Sequence, residues 1–106
     1  GANMMISNSM DVEIDEKIKI KAVEPNMYKV VFLNDNATPM DFVIEILTGI
    51  FRHSPETARD ITMEIHEQGS SVVGIYNFEI AEQKAVEATT LSRSHGFPLQ
   101  IKVEME

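Results

Sequence analysis

Tyr28-Lys29-Val30-Val31-Phe32-Leu33, then Asn34-Asp35-Asn36-Ala37, then Thr38-Pro39-Met40-Asp41-Phe42-Val43-Ile44-Glu45-Ile46-Leu47 is the stretch that decides the fold. Its first six residues are β-branched, aromatic or apolar with one lysine, which predicts a buried strand. The Asn-Asp-Asn cluster that follows predicts a polar loop. Thr38-Pro39 then predicts a helix start: a Thr oxygen can accept from an exposed N–H, and proline loses nothing at the first helical position. Met40, Val43, Ile44, Leu47, Ile50 and Phe51 recur at spacings of three and four, so they share one side of that helix, with Asp41 and Glu45 elsewhere.

Working outward toward the C-terminus, Ser54-Pro55 repeats the start signal. Ala58, Ile61, Thr62 and Ile65 supply the inward stripe of a second helix, which Gly69 ends. The two helices make a short-looped hairpin. Val72 to Tyr76 predicts a second strand, and Asn77 caps a third helix lined by Ala81, Lys84, Ala85, Ala88 and Leu91 and ended by Gly96. Leu99, Ile101 and Val103 alternate with Gln100, Lys102 and Glu104, as in a strand with one wet face. The order strand, helix, helix, strand, helix, strand predicts an α+β fold: a small three-stranded antiparallel sheet with three helices packed on one face.

Toward the N-terminus the pattern thins. Residues 1–24 mix Asn, Ser and Met with charges, Val12, Ile14, Ile18 and Ile20 only hint at alternation, and Gly1-Ala2-Asn3 reads as an expression remnant. The expected organisation is a flexible extension over 1–24 and one core domain over 25–106. A chain of 106 residues with 43% apolar content closes one hydrophobic core and no more.

Composition removes whole classes of function. Nine basic against 17 acidic residues give a net charge of -8, which disfavours nucleic acid and anionic lipid as partners. The absence of cysteine excludes disulfides, thiolate metal sites and cysteine nucleophiles, and three scattered histidines make a poor metal site. No cofactor is expected, because the spacing of Met and Phe is that of helix packing. No segment reaches the roughly 20 apolar residues of a membrane span, and no secretion signal is present, so the expected location is the cytoplasm.

Two features could carry chemistry, and each has a plain structural alternative. Asn34-Asp35-Asn36 is ordinary turn chemistry or a polar site. His66, just past the apolar stripe of the second helix, is a helix-end residue favoured by the dipole or a ligand-binding group. Catalysis is not expected from either. Ser70 and Ser71 lack a nucleophile elbow, and Asp35 is the only acid in its loop, so a carboxylate pair is missing.

Read together, Tyr28-Lys29-Val30-Val31, Asn34-Asp35, Thr38-Pro39-Met40-Asp41-Phe42-Val43, His66-Glu67-Gln68-Gly69, Gly74, Ala81-Glu82-Gln83-Lys84 and Pro98-Leu99 resemble the ClpS family, in order, from about Pro25 to the C-terminus. The resemblance implies a bacterial adaptor that is not an enzyme. Such adaptors bind proteins by a free, large hydrophobic N-terminal residue (Leu, Phe, Tyr or Trp) and deliver them to the ClpA unfoldase of the ClpAP protease. By position it assigns Asn34, Asp35 and His66 to the substrate's α-amino group. Met40, Val43, Thr62, Ile65 and Leu99 line the side-chain pocket, with Thr38 at its edge. Glu79 and Lys84 match positions that contact the unfoldase's N-terminal domain, and the N-terminal extension matches one that takes part in delivery.

The chemistry is sound without the family. An α-amine with a pKa near about 8 is mostly an ammonium at neutral pH, and its three donors need acceptors, one of them charged. Protonating His66 would turn its acceptor into a donor, so binding should weaken in mildly acidic solution.

Two positions depart from the family. Thr62 stands where methionine is usual, which predicts a pocket more tolerant of β-branched residues, and Asn36 replaces a common acid. The competing reading is another protein-interaction module on the same architecture, which resembles the C-terminal domain of the ribosomal stalk protein and has no N-terminal-residue recognition.

Overall fold

The computed structural model describes residues 26–106. The expected extension over 1–24, with its hint of alternation at Val12 to Ile20, lies outside the described residues. The six elements come in the order expected: β1 (Met27–Leu33), α1 (Met40–Gly49), α2 (Pro55–Gln68), β2 (Ser70–Asn77), α3 (Phe78–Ser94) and β3 (Gln100–Met105).

β1, the first strand in sequence, lies in the middle of the sheet. The order is β2-β1-β3 and both pairings are antiparallel. A bulge between Val30 and Val31 leaves Val73 opposite no residue of β1, since Val30 pairs with Gly74 and Val31 with Val72. Val30, Phe32 and Val73 are fully buried and meet Ile46, Leu47 and Leu99 in the core. Lys29, Val31, Val72, Lys102 and Glu104 line the opposite, wet side of the sheet. At Gly74 the backbone and the Tyr76 ring approach closely, and a Cβ there would force that ring to shift.

Three sequence signals for helix ends hold. Ser54 accepts from the Thr57 N–H with Pro55 opening α2, Asn77 accepts from the Ile80 N–H, and Gly69 ends α2 at φ 91°. A fourth does not: Thr38 is not the cap of α1. Pro39 occupies that position without a side-chain bond, α1 begins at Met40, and the Thr38 hydroxyl donates to Asp35 instead.

Other expectations need correction as well. Ile50 and Phe51 belong to the apolar stripe but lie beyond α1, in a turn that passes through Arg52 at φ 61°. Both stay buried, with Phe51 edge-on to Phe32. On α3 the inward row is Ala81, Ala85, Ala88 and Ser92, while Leu91 is 39% exposed. Burial of Ser92 is possible because its hydroxyl donates to the Ala88 carbonyl at 2.8 Å. Leu99 is buried just ahead of β3, and Ile101 and Val103 are half-buried.

Candidate functional site

The site begins in the loop after β1. One oxygen of Asp35 accepts the backbone N–H of Ala37 at 2.8 Å and of Thr38 at 2.6 Å, and the other accepts the Thr38 hydroxyl at 2.8 Å. The turn-chemistry reading of this cluster is therefore correct. It does not exhaust the residue, because a carboxylate offers about four lone-pair sites and three are used. Burial works against the charge of Asp35. The hydrogen bonds from Thr38 and Ala37, with a contribution from Arg93, outweigh it and hold the carboxyl below its ordinary value of 3.8. Asp35 is thus an anion at neutral pH.

The loop is fastened to the end of α2. The Asn34 N–H donates to the Gly69 carbonyl at 2.9 Å, which sets Asn34 beside the last turn of α2, where His66 lies. Asp35 is bonded within its own loop, whereas the side chains of Asn34 and His66 bond to no other described residue. Both are exposed and line the same pocket.

Below these polar groups the walls are apolar. Val43 from α1, Thr62 and Ile65 from α2, and Leu99 from the segment entering β3 are all buried and line the cavity. Thr62 donates its hydroxyl to the Ala58 carbonyl at 2.7 Å, which leaves its methyl group as the surface it can offer. Met40 is 39% exposed and Thr38 half-buried; both line the cavity nearer the solvent. The space between these walls is small and opens to solvent.

All nine residues predicted for amine and side-chain binding line this one pocket: Asn34, Asp35, Thr38, Met40, Val43, Thr62, Ile65, His66 and Leu99. Leu33 also lines it and was missed. Alternation along β1 assigns Leu33 to the face opposite Phe32, so periodicity gave no signal for it. Glu79 and Lys84 are not part of the pocket. Glu79 is exposed in the first turn of α3. The Lys84 ammonium donates to the Ile50 carbonyl at 2.7 Å and sits 5.8 Å and 5.5 Å from the ring centres of Phe51 and Tyr76.

Other chemistries find little here. Among the described residues no group of three or more His, Cys, Asp or Glu could hold a metal ion. The Ser71 hydroxyl donates to the Glu64 carboxylate at 2.7 Å rather than to His66. No helix among the described residues is long and apolar enough to cross a membrane.

Comparison with known proteins gives one family. Residues 23–102 match the family described as the ATP-dependent Clp protease adaptor protein ClpS. The ClpS adapter protein of Campylobacter jejuni is 50% identical over 86 residues, covering 81% of this chain and 90% of that one. The ClpS 2 adapter protein of Agrobacterium fabrum is 42% identical over 102 residues, 96% of this chain and 99% of that one. Among solved structures, Agrobacterium tumefaciens ClpS2 bound to L-phenylalaninamide is similar, with a TM-score of 0.76 and 46% identity. It covers 78% of this chain and 100% of that one.

Proposed function

The chain belongs to the ClpS family of Clp protease adaptors, which are adaptors and not enzymes, and from that premise we propose that its pocket holds the free, large hydrophobic N-terminal residue of a substrate protein. The observation that carries this reading is the pairing of Asn34 and His66, whose side chains bond to no other described residue, and the Asp35 anion with an apolar-walled pocket.

An amino-terminal residue is an ammonium attached directly to a side chain. Asp35 supplies the charged acceptor, while the Asn34 amide oxygen and a neutral His66 nitrogen supply the others. The side chain then enters between Val43, Thr62, Ile65 and Leu99, where each fully buried Leu- or Phe-sized group gains about 1.5 to 3 kcal/mol. L-phenylalaninamide, the ligand of the similar Agrobacterium structure, has the same two parts, an α-amine and an apolar ring.

Delivery follows from a second surface. We assign Glu79 and Lys84 to contact with the N-terminal domain of a ClpA-type unfoldase, and residues 1–24 to the handover, in the bacterial cytoplasm. Glu79 is the freely exposed member of that pair, since Lys84 is tied to Ile50.

Fluorescence anisotropy tests the pocket. A labelled Leu-started peptide is expected to bind, and its acetylated twin to lose measurable affinity, since acetylation removes the charge and strands acceptors at about 1 to 3 kcal/mol per group. A Ser-started control should be weak. Equal affinity for the free and acetylated peptides would reject amine recognition and return the chain to a different interaction role.

A further inference from the structure

The segment between α3 and β3 supplies the pocket wall at Leu99; His95, Gly96 and Phe97 bond their N–H groups back onto α3, but among the described residues no such turn bond anchors Pro98 or Leu99. Pairing between β1 and β3 begins only at Leu33 with Gln100, one residue after Leu99, and Pro98 has no N–H to donate. Leu99 is nevertheless 1% exposed, so its position leaves no slack. One side chain makes up the difference. A single terminal nitrogen of Arg93, in the last turn of α3, donates to the carbonyls of Phe97 and of Leu99, each at 2.9 Å.

We propose that Arg93 is a positioning residue for the pocket, clamping Phe97 to Leu99 against the end of α3 and so fixing the wall that measures the substrate's first side chain.

Three observations converge on this role. The Phe97 N–H donates to the Ser92 carbonyl at 2.9 Å, so the clamp closes a turn already fastened at its start. The Phe97 ring stands edge-on to Phe42 at 4.8 Å, and Phe42 adjoins Val43, which lines the same cavity from α1. Arg93 also acts on the Asp35 carboxylate through its charge. One guanidinium therefore holds the apolar wall by bonding and biases the amine end only electrostatically.

The two couplings make different predictions, and both rest on the function proposed above. Anisotropy with Leu-started, Ala-started and acetylated Leu-started peptides separates them. The Leu/Ala ratio reads the wall, and the free/acetylated ratio reads the amine site.

Arg93→Met keeps the apolar stem and removes the donors. It should cut the Leu/Ala preference roughly ten-fold, as expected for losing charged hydrogen bonds, with the free/acetylated ratio held within about two-fold. Arg93→Lys keeps the charge but has no planar fork, so it should recover part of the preference.

An unchanged Leu/Ala ratio in folded Arg93→Met overturns the proposal, and so does an equal fall in both ratios, which marks general loosening. If Arg93→Met does not fold, Arg93→Lys decides by the same ratios. Should the wild type fail to separate free from acetylated peptide, the proposed function fails. Methyl NMR of Leu99 then judges the clamp alone: a broadened signal in Arg93→Lys supports it, and a signal identical to wild type ends it.

Discussion

Asp35 serves the fold and the site with one carboxylate, and this gives it a distinctive pH signature. Its pKa lies below the ordinary 3.8, so its contribution to stability is fully present above that value and is lost as pH falls through the lower, folded one. Asp35→Asn should therefore destabilise the protein by about 1 kcal/mol at neutral pH, through weaker bonds to Ala37 and Thr38. Urea denaturation across a pH series should show the gap between variant and wild type narrowing below pH 4, and a constant gap would remove the carboxylate from this role. Thr62 governs the other half of the pocket. Because its hydroxyl is spent on Ala58, Thr62→Met chiefly adds apolar bulk to the pocket wall. Ile- and Val-started peptides should then lose several-fold more affinity than Leu-started ones, and the same preference in both proteins would contradict a size limit set at 62. That Asn34, Asp35 and His66 line one pocket was legible through the resemblance. The partner of Thr38 was not: a Thr before a helix can turn its oxygen to the backbone or to an acid three residues back, and only the path of the loop decides.

Elements were legible where a residue's own backbone preference fixes them. Proline at 55, a capping Ser54 and Asn77, and Gly69 in the left-handed region each act locally, and each element they bound formed as expected. The end of α1 was not legible, because Ile50 and Phe51 continue its apolar rhythm past Gly49. The Ile50 carbonyl is taken by Lys84, whose ammonium also faces Phe51 and Tyr76. The register of α3 was hidden for a local reason: a buried Ser92, its hydroxyl satisfied by the Ala88 carbonyl, replaces the expected leucine. Lys84→Met keeps the stem but frees the Ile50 carbonyl, and should cost about 1 to 2 kcal/mol of stability in urea denaturation. Peptide affinity should stay within about two-fold, since Lys84 lies outside the pocket. Glu79→Lys should cost up to about 1 kcal/mol of stability by placing a cation at the N-terminus of α3, leave peptide affinity alone and weaken binding to the unfoldase domain, read by calorimetry with the isolated domain. A Glu79→Lys protein that docks normally would move the docking surface elsewhere.

At the scale of the whole molecule, the pocket is a junction rather than a property of one element. Its lining comes from the end of β1 and its loop, from α1, from α2, and from the residue that leads into β3. An N-terminal residue bound as proposed would touch all four, and none of these contacts would survive unfolding, so binding and folding would be linked. With one site and no affinity for the unfolded chain, a ligand at 100 times its dissociation constant stabilises the fold by about 2.7 kcal/mol. In a domain of this size each kcal/mol moves the melting temperature by roughly 4 to 8 °C, so a saturating Leu-started peptide should raise it by on the order of 10 to 20 °C. The acetylated peptide carries the same side chain without the ammonium and at the same concentration should raise it by little. Scanning calorimetry with both peptides therefore asks whether amine and side chain are read together by one folded junction. An equal rise with either peptide would mean that the apolar cavity binds alone, and that Asn34, Asp35 and His66 surround the site without reading the amine.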